Sequence, residues 1–245
     1  MLWRILCYHR IDPSVHQAFG RQLKRFLRRG FQFCSITEGI EKLESTDLFT
    51  TQSKWLTVSF DDGDHTIYDV AQPELDALGI KAMLYITTDF VCQGSIYNNT
   101  PLYPAIHWEQ LQDWVKAGHE VGSHTHTHTN LTTCSHERLL EELHHSWVSI
   151  RSHLGITPIH LSYPWGQYSK AVHQTLTELN LWRSAATIDR GWNRAGVSLF
   201  CLKRDLMEAG WSDRKSDLRM AVGNCEWLYT LQRRLRHLNR NGIQK

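Results

Sequence analysis

Short apolar runs alternate along the chain with longer segments in which apolar residues recur every three or four positions. The runs predict strands, and the recurring positions predict amphipathic helices. The predicted strands are Trp3–Tyr8, Trp55–Phe60, Ile80–Ile86, His119–Gly122, Ile159–Tyr163, Ser184–Ile188 and Leu199–Leu202. The predicted helices are Gln17–Arg29, Thr66–Leu78, Trp108–Ala117, Ser135–Leu154, Ala171–Leu179 and Asp217–Asn239. This alternation indicates an α/β fold with a largely parallel sheet.

Polar, chemically capable residues lie at or just beyond the ends of several predicted strands. In parallel α/β folds the functional groups gather at the carboxyl edge of the sheet. The recurrence therefore favours a barrel-like arrangement with one shared site at that edge. The residues concerned are His9, Asp61, Asp62, His124, Pro164 and Trp165.

The segment His124-Thr125-His126-Thr127-His128 carries a candidate metal site. In an extended chain, His124 and His128 would lie ~13 Å apart, too far to share an ion. In a helical turn, residues four apart come within ~6 Å and face the same way. We therefore predict a helical turn in which His124 and His128 bind one divalent ion and His126 points elsewhere. Two imidazoles leave the ion underligated, so a carboxylate from another strand end is expected.

Asp61-Asp62-Gly63 supplies the best candidate carboxylate. Adjacent carboxylates repel each other, and this conflict is resolved if one binds a cation and the other is free to accept a proton. We predict that Asp62 is the third metal ligand and that Asp61 is the catalytic base for a water molecule. Gly63 allows a sharp turn beneath them. The alternative is an ordinary turn next to histidines in a polar loop.

Three segments, LTVSFDDG, EVGSHTHTHTNLT and LSYPWGQYS, together resemble the motifs of the polysaccharide deacetylase family (the NodB-homology domain, carbohydrate esterase family 4). The resemblance covers roughly residues 2–207 and implies a distorted seven-stranded β/α barrel in a single domain. It implies the same roles for Asp61, Asp62, His124 and His128, with zinc as the typical ion and cobalt or nickel as alternatives. The implied reaction removes acetyl from N-acetylated amino sugars of a polysaccharide, an oligosaccharide or a lipid-linked or nucleotide-linked glycan precursor.

Two of the family's motifs are altered in this sequence. The third, Ser162-Tyr163-Pro164-Trp165-Gly166, lacks the arginine that usually steadies the base, and Arg10 and Arg204 are candidates to replace it. The fifth lacks its usual histidine, so another group must protonate the leaving amine. We hypothesise that His9 is this acid, because the first and last strands are neighbours when a barrel closes. The alternative is a strand-end histidine that hydrogen-bonds to the backbone.

Candidate substrate contacts also follow from the resemblance. It places Pro164 and Trp165 at the substrate, with the Trp165 ring as a pocket wall and the Trp165 backbone N–H as the oxyanion donor. Trp192 is a candidate sugar platform, and a core position is its alternative. Two other functions stay open: a carbohydrate-binding protein on the same fold that has lost turnover, and hydrolysis of another non-peptide amide.

Composition and charge narrow the function classes. The formal net charge of +2 gives no field strong enough to indicate a nucleic-acid partner. No apolar stretch is long enough for a transmembrane helix, and the N-terminus lacks a secretory cleavage site, so a cytoplasmic location is expected. The six scattered cysteines are typical of core residues in a reducing compartment.

The domain organisation predicted from the sequence is a catalytic domain over residues 1–210 and a helical extension over residues 211–245. The extension is amphipathic with a basic end, which indicates a helix docked on the barrel with its charges in solvent. The alternative is peripheral contact between this basic helix and an anionic membrane surface. The basic end contains Arg233, Arg234, Arg236, His237 and Arg240.

Overall fold

The computed structural model describes residues 2–45, 53–96 and 103–222 of the chain. The strands in chain order are β1 (Leu2–Tyr8), β2 (Gln32–Phe33), β3 (Lys54–Phe60), β4 (Ala82–Ile86), β5 (Ser95–Ile96), β6 (Tyr103–Pro104), β7 (Glu120–Ser123), β8 (His160–Ser162), β9 (Ser184–Ala186) and β10 (Arg204–Leu206). The helices are α1 (His16–Arg28), α2 (Ile36–Glu44), α3 (Gln72–Ala77), α4 (Thr88–Gln93), α5 (Trp108–Lys116), α6 (His136–Leu154), α7 (Lys170–Leu179) and α8 (Asp213–Val222). Short 3-10 turns occupy Pro13–Val15, Pro164–Gly166 and Leu199–Cys201.

The large sheet nearly closes into a barrel. Its path runs β10-β1-β3-β4-β7-β8-β9 with every neighbouring pair parallel, and β2 pairs beside β3. An isolated parallel bridge between Ala186 and Leu202 brings the two ends of this path together. The predicted α/β barrel is therefore confirmed, with seven strands along the continuous path of the sheet.

Successive side chains of the strands pack on opposite faces of the sheet. Trp3 and Ile5 of β1 share an interior cluster with Met83 and Tyr85 of β4. Leu6 belongs instead to the larger core between the sheet and the helices. Burying a large apolar side chain contributes about 1.5–3 kcal/mol, so these two layers supply most of the stability and fix the strand ends that carry the site.

Most predicted elements match the structure to within two residues at each end. The helix predicted over Thr66–Leu78 is divided into a π-helical turn at Ile67–Ala71 and α3. Pro73 cannot donate a backbone hydrogen bond, which disfavours a continuous α-helix there. The helices α2 and α4 were not predicted, although Ser35 and Glu38 form a capping box at the start of α2.

The strand predicted at Leu199–Leu202 is wrong. Its first three residues form a 3-10 turn, and the last strand is β10, which pairs with β1. β10 begins with the charged residues Arg204 and Asp205, and charged residues are rarely fully buried unless they are paired. Both are paired here, Arg204 with Asp61 and Asp205 with Arg4.

The described part of the C-terminal extension packs on α1. Gln22 donates from Nε2 to Ser216 Oγ at 2.8 Å, and Arg25 pairs with Asp213 at 3.0 Å. The helix begins at Asp213, earlier than predicted, and the predicted continuation to Asn239 lies outside the described residues. No helix in the described ranges is both long and apolar enough to cross a bilayer. The domain boundary at residue 210 stays a prediction.

Candidate active site

A pocket of about 300 Å³ lies at the carboxyl edge of the barrel. Its titratable residues follow three strands: His9 follows β1, Asp61 and Asp62 follow β3, and His124 and His128 follow β7. The remaining lining is largely apolar and consists of Phe90, Ile96, Tyr163, Trp165, Gly166, Ile188 and Leu206. The strand-end residues of the sequence motifs therefore share one site.

Asp62, His124 and His128 converge in this pocket. Asp62 Oδ1 lies 3.6 Å from His124 Nε2 and 3.4 Å from His128 Nε2, and one ligand atom from each residue lies within 4.8 Å of the others. His124 Nδ1 lies 2.9 Å from the Ser162 carbonyl oxygen, which can only accept, so Nδ1 is the donor and Nε2 is the nitrogen that faces Asp62. Burial lowers the pKa of His128 to about 3, so its ring is neutral.

The surroundings of Asp62 fit a divalent cation. Asp62 Oδ1 is buried and accepts no hydrogen bond from any described residue. Burial raises the pKa of Asp62, because a buried carboxylate is costly without a compensating charge. An ion between Asp62 and the two imidazoles would supply that charge. Two nitrogens and one oxygen are also the ligands that catalytic zinc takes when it keeps a position open.

The two histidines approach each other without a helical turn. Their ring centroids lie 4.8 Å apart, but residues 124–128 form neither a helix nor a strand, so the predicted helical turn is wrong. The chain reverses because Thr125 and His128 adopt positive φ angles of 69° and 58°. This left-handed conformation is unfavourable for side chains other than glycine, above all for a β-branched one, so contacts outside the loop must maintain it.

Asp61 has a different partner from Asp62. Arg204 of β10 donates from Nη1 to Asp61 Oδ1 at 2.6 Å and from Nη2 to Oδ2 at 2.7 Å, and both side chains are buried. Burial alone would raise the pKa of Asp61, but the Arg204 charge outweighs it and holds this pKa well below its usual range. Arg204 Nη2 also donates to Ser162 Oγ at 2.7 Å, which links the pair to β8.

Of the two candidates for the missing third-motif arginine, Arg204 is the one that pairs with Asp61. The other candidate, Arg10, lies instead 4.0 Å from Asp12 and 3.9 Å from Asp64. The sequence offered both arginines as alternatives, and the closure of the barrel decides between them.

A model of the family described as polysaccharide deacetylase matches residues 49–182, more than half of the chain. This chain belongs to the polysaccharide deacetylase family. The matched range contains Asp61, Asp62, His124 and His128 and the strands β3, β4, β7 and β8 of the large sheet.

Two relatives support membership in the polysaccharide deacetylase family. A chitooligosaccharide deacetylase from Bradyrhizobium sp. (strain ANU 289) is 29% identical over 153 residues, which cover 62% of this chain and 64% of the relative. Chitin deacetylase 1 from Cryptococcus neoformans var. grubii is 28% identical over 124 residues, which cover 51% of this chain and 24% of the relative. Both alignments thus cover less than two thirds of the relatives' own lengths.

Solved structures share the barrel fold. The deacetylase PplD from Streptococcus pyogenes, solved in complex with acetate, has a TM-score of 0.77 at 24% identity over 90% of this chain and 98% of that chain. IcaB from Ammonifex degensii has a TM-score of 0.74 at 22% identity over 89% of this chain and 95% of that chain. At this level of identity the likeness concerns the fold.

Of the substrate contacts predicted from the sequence, Trp165 lies at the pocket, whereas Pro164, which is buried, and Trp192 are not among the residues that line it. The Trp165 ring is 57% exposed and lies 4.9 Å from the His128 ring, and Pro164 precedes it in the same 3-10 turn. Trp192 is not among the pocket-lining residues, and it stacks on the guanidinium of Arg4 at 4.6 Å. A packing role, the alternative weighed for Trp192, fits this position.

Proposed function

We propose that this polysaccharide deacetylase is a metal-dependent hydrolase that removes acetyl from N-acetylated amino sugars of a polysaccharide, an oligosaccharide or a glycan precursor. One observation carries the proposal: two adjacent carboxylates have different partners. Asp61 is paired with Arg204, whereas Asp62 faces two imidazoles and has an unsatisfied buried oxygen. The two relatives, a chitooligosaccharide deacetylase and a chitin deacetylase, support the substrate class.

In this proposal Asp62, His124 and His128 hold one divalent ion, zinc, with cobalt or nickel as alternatives. When bound, such an ion would polarise the acetyl carbonyl as a Lewis acid and make water more acidic. The neutral ring of His128 and the free Nε2 of His124 supply lone pairs, and Asp62 supplies the negative charge. The three side chains thereby define where the acetyl group must bind.

Asp61 is the proposed catalytic base. The Arg204 charge keeps Asp61 ionised at neutral pH, and the two hydrogen bonds from Arg204 hold its carboxylate in one orientation. Asp61 Oδ2 lies 3.9 Å from His124 Nε2, so this oxygen faces the three-residue cluster. A water molecule between Asp61 and the acetyl carbon could therefore transfer its proton to Asp61 as it attacks.

His9 is the proposed acid for the leaving amine. Tyr8 pairs with Phe60 in the β1–β3 ladder, so His9 comes next to Asp61 at the sheet edge. The exposed His9 ring lines the same pocket, which allows proton donation to an amine there. We assign the oxyanion to the Trp165 backbone N–H and the sugar wall to the Trp165 ring.

The test combines metal analysis of the purified protein with acetate release from N-acetylglucosamine oligomers. We expect release that stops on treatment with a chelator and returns when zinc is added back. Release that survives complete metal removal would contradict metal dependence. If the protein binds glycans but releases no acetate with any divalent ion, the binding-protein alternative is correct. The cytoplasmic location and the peripheral membrane contact stay predictions.

A further inference from the structure

One buried carboxylate holds the loop that carries His128. Glu142 of α6 is fully buried. Its Oε2 accepts the backbone N–H groups of His126 at 2.9 Å and Thr127 at 2.8 Å, and its Oε1 accepts the Thr127 hydroxyl at 2.5 Å. Two consecutive N–H groups that converge on one anion form a compact anchor. Glu142 therefore fixes the peptide units 125–126 and 126–127, a short way upstream of His128.

The charge of Glu142 is balanced within the same helix. Arg138, one turn earlier, donates from Nη2 to Glu142 Oε1 at 2.6 Å. Arg138 also donates from Nη1 to the neighbouring Glu141 at 3.1 Å, and Glu141 is an exposed side chain. The Glu142 carboxylate thus has four donors, which compensate for the loss of water around a buried carboxylate.

The loop needs such an anchor because of its backbone conformation. The left-handed region is unfavourable for residues other than glycine, and both Thr125 and His128 lie there. A second contact comes from Ser146, one turn beyond Glu142. Ser123 Oγ donates to Ser146 Oγ at 2.8 Å and accepts the Thr125 N–H at 3.0 Å. One face of α6, through Glu142 and Ser146, therefore holds the loop 124–128 near both of its ends.

We infer that Glu142 is a positioning residue that sets the affinity of Asp62, His124 and His128 for their ion. This inference rests on the proposed function. Glu142 contacts neither the ligand atoms nor the pocket, and it acts by holding the peptides that place His128 Nε2 3.4 Å from Asp62 Oδ1. Without the carboxylate, the loop can relax from its left-handed conformation and His128 moves away from the shared point.

The experiment compares Glu142→Gln with Glu142→Ala and with the matched control Glu141→Gln. Zinc affinity of each metal-free protein is measured by competition with a chromophoric chelator. We expect a Kd about 10–100-fold above wild type for Glu142→Gln, a larger increase for Glu142→Ala, and no more than about a twofold change for Glu141→Gln. At saturating zinc, kcat of Glu142→Gln should return to within about threefold of wild type, because the reacting groups are intact.

The outcomes separate this inference from the proposed function. If the wild-type protein binds no divalent ion, the proposed function fails and the role of Glu142 fails with it. If wild type binds zinc and Glu142→Gln binds it equally well while its Tm in chelator falls, Glu142 only stabilises the fold. The metal site would then stand and the inference would be overturned. Glu142→Gln keeps an acceptor oxygen, so it tests the point even if Glu142→Ala does not fold.

Discussion

Arg204 and Asp61 form a buried pair with two hydrogen bonds, from Nη1 to Oδ1 at 2.6 Å and from Nη2 to Oδ2 at 2.7 Å. The two residues are 143 positions apart in the sequence and come from β10 and the end of β3. A two-point contact between a guanidinium and a carboxylate is strong and fixes the orientation of both groups. Arg204 reaches Asp61 because β10 pairs with β1 as the barrel closes, so this closure determines the surroundings of the proposed base.

We expect Arg204→Lys to lower kcat/KM by about 100-fold, because a lysine keeps the charge but cannot make the two-point contact. Arg204 lowers the pKa of Asp61, so a weaker pair raises it. Activity that needs ionised Asp61 is then lost at a higher pH as the pH falls, and the acid limb of the kcat/KM profile moves upward. Steady-state kinetics from pH 4 to 9 measure both effects.

Arg10→Lys is the control for that experiment. Arg10 is one-third exposed, and its ion-pair contacts are long, so we expect kcat/KM within about twofold of wild type. Equal losses in the two variants would contradict the assignment of Arg204 as the replacement arginine.

His9→Ala should lower kcat on an N-acetyl substrate by about 100-fold or more while bound metal is unchanged, because general acid catalysis contributes that much. An acetyl ester with a good leaving group, such as a nitrophenyl acetate, needs no proton and should lose far less. His16→Ala, an exposed histidine beyond β1, serves as the control. Turnover of the amide within a few-fold of wild type would show that His9 is not the acid.

Asp62→Asn should have opposite effects on stability with and without the ion. In chelator we expect a higher Tm than wild type, because the substitution removes a buried charge whose Oδ1 has no donor among the described residues. In saturating zinc we expect the reverse, since wild type gains binding free energy that the variant lacks. Thermal melts in both buffers measure this. A lower Tm for Asp62→Asn in chelator would contradict the proposal that the buried Asp62 carboxylate needs a bound cation.

Trp165→Ala should raise KM for N-acetylglucosamine oligomers by about tenfold with a smaller change in kcat, because the ring is proposed to contact the sugar and not the acetyl group. The half-exposed ring is available for such a contact. Trp192→Ala is the comparison, and its KM should match wild type. Initial rates over an oligomer series give KM for both variants. An unchanged KM in Trp165→Ala would contradict the proposed contact between the Trp165 ring and the sugar.

Stability should depend on pH through His160, which lies far along the chain from the metal ligands. Burial, and next the charge of Arg183, lower the pKa of His160 to about 3. Because its unfolded pKa is about 6.5, the stability that neutral His160 confers is complete above that pH and is lost as the pH falls towards 3. We expect a loss of about 2 kcal/mol between pH 7 and pH 5.

Urea unfolding of His160→Asn at pH 7 and pH 5 checks this expectation. The variant should lose less stability than wild type over that interval, because asparagine does not titrate. His136→Asn, which replaces an exposed histidine at the start of α6, should keep the wild-type difference. If all three proteins lose the same free energy of unfolding, His160 does not govern the pH dependence.

The barrel was largely predictable because its signals are local. Apolar runs and amphipathic periodicity located most strands and helices, since each reports on the burial of its own segment. β10 was missed because burial of Arg204 and Asp205 depends on partners in distant strands, which a local pattern cannot show. The same limit applies to the 3-10 turn at Leu199–Cys201, because its short apolar run is equally typical of a strand.

The convergence of Asp62 with His124 and His128 was predicted for a partly wrong reason. Strand ends in a parallel sheet share an edge, and that argument is correct. The helical turn was wrong because the left-handed residues Thr125 and His128 are maintained by long-range contacts, among them those of Glu142.

By itself, the sequence determined the α/β class, the strand ends that bear chemistry and the residue types available at the site. These properties follow from periodicity and from the order of polar residues along one chain. Only the tertiary structure decided which arginine pairs with Asp61, how the histidine loop reverses and that Trp192 lies away from the pocket. Those outcomes depend on closure of the sheet and on the pairing of buried charges, and both are set by contacts between residues far apart in the chain.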